Sequence, residues 1–136
     1  MGQKPAFETL HVYQLADRLA REVWTIAVVW AYFSRDTVGK QLVRAADSIG
    51  ANIAEGYGRG SHADNRRFVH IARGSLNETI CWLSRAADRG LVTPEQANNL
   101  VAITDELGPK LNGYLNYINK QMNTKVTSDQ QPPPEG

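Results

Sequence analysis

The sequence predicts an all-α fold, an antiparallel up-down-up-down four-helix bundle. Three observations lead there: four stretches with apolar residues at helical spacing, only a few residues between consecutive stretches, and no strand-like alternation. Connections that short force neighbouring helices to lie side by side in opposite directions. At 136 residues the chain has the size of one domain with a real core. The expected division is a flexible N-terminus over residues 1–6, the bundle over 7–122 and a disordered, proline-rich tail over 123–136.

The first stretch covers residues 7–33. Leu15, Ala16, Leu19, Ala20, Val23, Trp24, Ile26, Ala27 and Trp30 recur on one side, while Gln14, Asp17, Arg18, Arg21 and Glu22 take the other. Towards its end Val28, Val29 and Tyr32 spread apolar character around the circumference, more than one bundle stripe requires, which points to a second contact.

Ser34-Arg35-Asp36-Thr37 offers N-cap residue types, so the second helix is expected over residues 38–57. Val38, Leu42, Ala45, Ala46, Ile49 and Ile53 mark its core face, and Gly56, Gly58 and Gly60 should end it through the left-handed conformation. Ser61 is the expected N-cap of the third helix, with Asp64 near the positive end of the dipole. From there to Asp88 the pattern is apolar on two faces, one holding Phe68, Ile71, Ala72, Thr79, Trp82 and Ala86, the other Val69, Leu76, Ile80, Leu83 and Ala87. Gly90 should close that helix. Thr93-Pro94-Glu95-Gln96 then reads as a capping box with proline at the first helical position. The fourth helix presents Ala97, Leu100, Val101, Thr104, Leu107, Leu111, Tyr114, Leu115, Ile118 and Met122, and Gly108-Pro109 should kink it mid-way.

The composition excludes several classes. Lys and Arg number 15 against 14 Asp and Glu, so overall charge argues neither for nor against nucleic acid. The single cysteine, Cys81, rules out an internal disulfide and a cysteine zinc site, and its helical setting reads as apolar packing. No 18-residue apolar run and no signal-type h-region occur, and Ala6 breaks the myristoylation pattern. A cytoplasmic, reduced protein is expected.

Candidate chemistry fails on spacing. The run Glu55-Gly56-Tyr57-Gly58-Arg59-Gly60 follows a helix rather than a strand and lacks a following Lys-Ser/Thr, so it reads as a turn and not a phosphate loop. One Glu-x-x-His element, Glu8 to His11, has no second copy for a di-metal site. Ribonucleases of the HEPN bundle type carry an Arg four to six residues before a His, and Arg66 and Arg67 lie too close to His70. No catalytic residue, metal or cofactor is therefore expected, and the chain reads as a non-enzyme.

Two polar sets remain. Gln41, Ser48, Asn52, Glu55, Ser75 and Glu78 sit on largely apolar helices and read as a structural network joining the second and third. A carboxylate there needs a partner, so Glu78 should meet an arginine or the Asn52 amide across the helix pair, or an equivalent group on another subunit. The basic residues Lys40, Arg44, Arg59, Arg66, Arg67 and Arg73 cluster around the second turn, diluted by Asp47, Glu55 and Asp64. Repeated around an oligomer, they would form a phosphate-binding surface.

Residues 41–59, from Gln41 through Ala51-Asn52-Ile53-Ala54-Glu55-Gly56 to Arg59, and residues 68–78, from Phe68 to Glu78, carry a family resemblance. They resemble the bacterial four-helix-bundle proteins encoded in intervening sequences of 23S ribosomal RNA genes. Phe7-Glu8-Thr9-Leu10-His11-Val12-Tyr13, Leu83 and the turn near Gly90-Leu91 fit as well, and the match spans residues 7–120. The resemblance implies a left-handed up-down bundle assembled as a ring-shaped homopentamer, and it implies no established activity. More distantly, the chain is similar to the accessory variability protein of diversity-generating retroelements, a basic partner of a reverse transcriptase whose strong positive charge is absent here. The reading that follows is a homo-oligomer binding RNA or a ribonucleoprotein through the basic set. The alternative is a protein-binding scaffold or reverse-transcriptase-accessory-like subunit that does not touch nucleic acid.

Overall fold

The computed structural model describes residues 6–124, and the expected tail beyond Thr124 and the N-terminal residues 1–5 lie outside them. A 3-10 turn, Ala6–Thr9, precedes α1 (His11–Ala27). A single α-turn, Tyr32–Ser34, and a π-helical turn, Arg35–Gly39, lead directly into α2 (Lys40–Tyr57). Then come α3 (His62–Asp88) and α4 (Pro94–Asn123). The described residues are all-helical, with four long helices and no strand.

Each long helix packs on two neighbours, α1 on α2 and α4, and α3 on α2 and α4. The face formed by α1 and α2 is therefore opposite the face formed by α3 and α4. Leu19, Leu42, Ile49, Ile53, Leu100, Leu107, Leu111 and Ile118 are fully buried between them. Each such side chain contributes about 1.5–3 kcal/mol through removal from water.

Local chemistry sets the boundaries. Ser61 Oγ accepts from the Asp64 N–H at 3.1 Å and starts α3. At its end Gly90, at φ 71, lets the Leu91 N–H reach Ala86 O at 2.8 Å and its own N–H reach Ala87 O at 3.1 Å, a Schellman closure. Thr93 and Gln96 exchange bonds of 2.9 and 3.1 Å to make the capping box of α4.

The start of α2 differs from expectation. The chain breaks after Ala27, not at residues 34–37, because Trp30 turns inward to pack on Gly39, where a Cβ would lie 3.3 Å from its ring. Ser34 and Thr37 cap nothing. Ser34 is helical at φ −65, and Thr37 Oγ1 donates back to Phe33 O at 2.6 Å, as hydroxyls inside helices do. At the other end of α2, Gly58 caps in the right-handed region at φ −81, and among the described residues Gly90 alone has positive φ. Gly56 serves close packing: a Cβ there would lie 2.7 Å from Asn65 Oδ1. Across Gly108-Pro109, α4 continues unbroken.

Several apolar positions face outward instead of inward. Trp24 is 57 % exposed, Val101 49 %, and Ile71 and Ile80 43 % each, so α3 has one core face rather than two. That face is Val69, Ala72, Ser75, Leu76, Thr79 and Ala86. Cys81 is exposed too, on the outer side of α3, and does not pack.

Candidate nucleic-acid interface

Helix packing sorts the six basic residues into three settings. Lys40 and Arg44 stand on α2 beside α1, where both line a groove with Trp24 and Val28. Arg44 is already engaged: its guanidinium donates to Glu78 across the α2–α3 seam and to Gln41 Oε1 at 3.1 Å. Lys40 makes no ion pair among the described residues.

Arg59 and Arg67 converge from α2 and α3 on the ring of Phe68, at 5.1 and 4.6 Å from its centroid. Both lie beside carboxylates, Arg59 at 3.4 Å from Glu55 and Arg67 at 4.0 Å from Asp64. Each therefore has a neighbouring carboxylate that partly offsets its charge.

Arg66 and Arg73 point the other way, onto α4. Arg66 donates to Asn119 Oδ1 at 3.3 Å, and Arg73 to Asn112 Oδ1 at 3.2 Å with His70 Nδ1 also at 3.3 Å. An amide oxygen orients a guanidinium without cancelling its charge, and each arginine keeps further N–H donors for a ligand. Seven residues apart on one helix, the two stand about 10 Å from each other along its axis.

The surroundings of this pair were not foreseen. Residues 65–77 of α3 and 107–123 of α4 contain Arg66, Arg67, Arg73, Lys110 and Lys120 and no Asp or Glu. With the chain at formal net charge +1, everything outside these two segments is net negative. Asn112, Asn116, Asn119 and Asn123 repeat at helical spacing along the α4 side of the strip, and three of the four are exposed. The signal was available in the sequence as two acid-free runs, but their juxtaposition depends on the α3–α4 register.

The polar residues of the α2–α3 seam form two separate groups. In one, Gln41, Arg44, Glu78 and the Trp82 indole join, with Trp82 Nε1 donating to Glu78 at 3.3 Å. In the other, Asn52 donates to Ser48 O at 2.8 Å, Ser75 Oγ to Ser48 Oγ at 3.0 Å, and Thr79 to Ser75 O at 2.7 Å. Glu55 joins neither, being exposed and turned to Arg59. Among the described residues no group of three or more His, Cys, Asp or Glu side chains is arranged to hold a metal. Likewise, no helix there is long and apolar enough to cross a membrane.

Residues 8–113 match the family model described as 23S rRNA-intervening sequence protein. The chain is also similar to a crystal structure of a protein of unknown function from the S23 ribosomal protein family of Bacteroides thetaiotaomicron VPI-5482. That similarity has a TM-score of 0.66 at 27 % identity and covers 74 % of this chain and 94 % of that one. No curated protein matches.

Proposed function

The chain belongs to the 23S rRNA-intervening sequence protein family, and from that premise we propose that it is a non-enzymatic, homo-oligomeric RNA-binding protein of the cytoplasm. Its bundle is up-down-up-down, and it assembles as a ring of the kind the family resemblance implies, pentameric in number. The RNA, free or within a ribonucleoprotein, lies along the α3–α4 face.

The observation that carries this reading is the acid-free strip. Phosphate oxygens need cations that are positioned but not neutralised. Arg66 and Arg73 meet that requirement, held by Asn119 and Asn112 rather than by carboxylates. Arg44, Arg59 and Arg67 meet it less well, since each already has Glu78, Glu55 or Asp64 beside it. The binding surface is thus narrower than the six-residue cluster and centres on Arg66 and Arg73, with Asn119 and Asn112 of α4 holding them. Two cations held at a fixed spacing suit a nucleic-acid backbone, so the recognition is of backbone and shape.

The test is retention of a structured RNA by the purified protein, measured by fluorescence anisotropy from low to moderate ionic strength. Binding that weakens steeply with salt supports the proposal. No salt-sensitive binding at low ionic strength overturns it and leaves the protein-only scaffold reading, which the exposed apolar surface of α1 favours.

A further inference from the structure

Two chemically unlike rows of side chains meet along the α3–α4 seam. On α3 the row is Arg66, His70, Arg73 and Asn77, and on α4 it is Asn112, Asn116, Asn119 and Asn123. Both step by four, three and four residues, the spacing that keeps side chains on one ridge of a helix. Each row runs about 16 Å along its helix. The bonds from Arg66 to Asn119 and from Arg73 to Asn112 fix the register between them.

These bonds leave most of the α4 row unengaged. Asn112 and Asn119 each present one carbonyl oxygen to an arginine and keep their amide N–H donors. Asn116 and Asn123 are exposed and make no side-chain hydrogen bond among the described residues. Asparagine is a weak helix former, because its amide competes with the backbone. Four on one ridge therefore weaken α4 locally, and the fold itself draws no contact from two of them.

A carboxamide selects differently from a cation. It donates and accepts at once, whereas a phosphate oxygen only accepts. The ribose 2′-hydroxyl also donates and accepts, and it is the group that lets a protein tell RNA from DNA. A row of amides beside two positioned guanidiniums thus matches a sugar–phosphate edge that carries hydroxyls.

We propose that the α3–α4 strip binds A-form RNA duplex across its minor groove, with Arg66 and Arg73 on phosphates and the α4 amides on 2′-hydroxyls. That groove is wide and shallow, and duplex RNA is recognised there through shape, phosphate and hydroxyl contacts. Both rows are held by their helices and by the bonds between them, so they fit a backbone whose groups repeat at fixed positions. Single strands are gripped otherwise, by bases stacked on aromatic faces. The aromatic rings of these two segments, Phe68, Tyr114 and Tyr117, are buried or half-buried, and Tyr114 is only 5 % exposed. Asp105 stands on the same ridge two turns before Asn112 and bounds the strip.

This rests on RNA binding by the strip and adds which form of RNA is bound and which group is read. Fluorescence anisotropy of the full chain, with four probes at one low ionic strength, tests it. The probes are an RNA duplex, the DNA duplex of the same sequence, the 2′-O-methyl RNA duplex and one RNA strand alone. The RNA duplex should bind about tenfold more tightly than the DNA duplex, the equivalent of one or two hydrogen bonds. The methylated duplex keeps the A form but loses the hydroxyl donor, and it should fall towards the DNA value.

Asn116→Ala combined with Asn123→Ala changes only exposed side chains. It should remove most of the preference for RNA while leaving DNA affinity and helical circular dichroism unchanged. Arg66→Ala with Arg73→Ala should instead weaken both duplexes alike. Four results each overturn the inference and leave RNA binding standing: equal affinity for the RNA and DNA duplexes, a methylated duplex bound as tightly as RNA, a preference that survives the asparagine variant, or a single strand bound more tightly than the duplex. No salt-sensitive binding of any RNA probe overturns both.

Discussion

Gly56 of α2 lies against Asn65 of α3 so closely that no side chain fits between them. A Cβ on Gly56 would sit 2.7 Å from Asn65 Oδ1, 3.2 Å from Asn65 O and 2.9 Å from the Phe68 Cβ. Two of these atoms are backbone or Cβ and cannot swing aside, so the helices themselves must separate. Asn65 also ties α3 to α4 through the Tyr114 hydroxyl at 3.3 Å, and it would have to give way at both ends. Gly56→Ala should therefore cost about 1–3 kcal/mol, the range for overpacking. Urea unfolding followed by circular dichroism measures this, and an unchanged midpoint would show that the crossing is not tight.

Other glycines predict the reverse. Gly74 and Gly113 lie inside α3 and α4, exposed and with nothing within 4 Å of a built Cβ. Alanine there removes unfolded-state freedom and loses no contact, so each substitution should stabilise by up to about 1 kcal/mol. Thermal melts of the two variants beside Gly56→Ala separate helix propensity from packing. A melting temperature lowered by Gly74→Ala or Gly113→Ala would contradict the open environments described.

The contrast between these glycines marks what the sequence could and could not convey. Caps were readable because they are local: Ser61, Gly90 and the Thr93–Gln96 box act on residues within three or four positions. The same residue types misled at 34–37, where Thr37 bonds back into its own helix and the true break follows Ala27, fixed by the distant fit of Trp30 on Gly39. Periodicity locates the core stripe, but a stripe as wide as that of α1 does not tell its buried centre from its edge, and it puts Trp24 on the inner side although that residue is exposed. Glu78 could be seen to need a cation. That the cation is Arg44, while Arg66 and Arg73 find Asn119 and Asn112, is a matter of inter-helix register.

The Arg44–Glu78 pair should be worth little. Its side chains are 58 % and 39 % exposed, so water screens the attraction, and pairs this open contribute up to about 1 kcal/mol. Glu78→Ala also removes the acceptor of the Trp82 indole N–H and should destabilise within that range. A double-mutant cycle with Arg44→Ala isolates the pair term, which should shrink when salt is added. A loss of several kcal/mol would mean that Glu78 is far less hydrated than its exposure indicates.

Gly90 presents the opposite case, a small residue whose replacement is costly. Its φ of 71 closes α3 and allows the Leu91 and Ala86 backbones to meet at 2.8 Å. Gly90→Ala forces a Cβ into the left-handed region at a cost of about 1–2 kcal/mol, although nothing crowds the site. Gly90→Asn, which tolerates that conformation better, should recover part of the loss. Equal damage from both in chemical denaturation would place the effect elsewhere.

The salt dependence of RNA binding distinguishes the arginines. If Arg66 and Arg73 each neutralise one phosphate, replacing both with alanine should lower the slope of log K against log salt by about 1.4–1.8, at roughly 0.7–0.9 per contact. The same double replacement of Arg59 and Arg67 should change it little, because Glu55 and Asp64 already stand beside those side chains at 3.4 and 4.0 Å. Replacing Asn112 and Asn119 with alanine offers a finer comparison: the charges remain, but the guanidiniums lose their positioning bonds. Affinity should then fall by several-fold with the slope preserved, since the number of phosphates neutralised is unchanged. A reduced slope in the Arg59 and Arg67 variant together with an intact one in the Arg66 and Arg73 variant would move the interface to the α2–α3 turn.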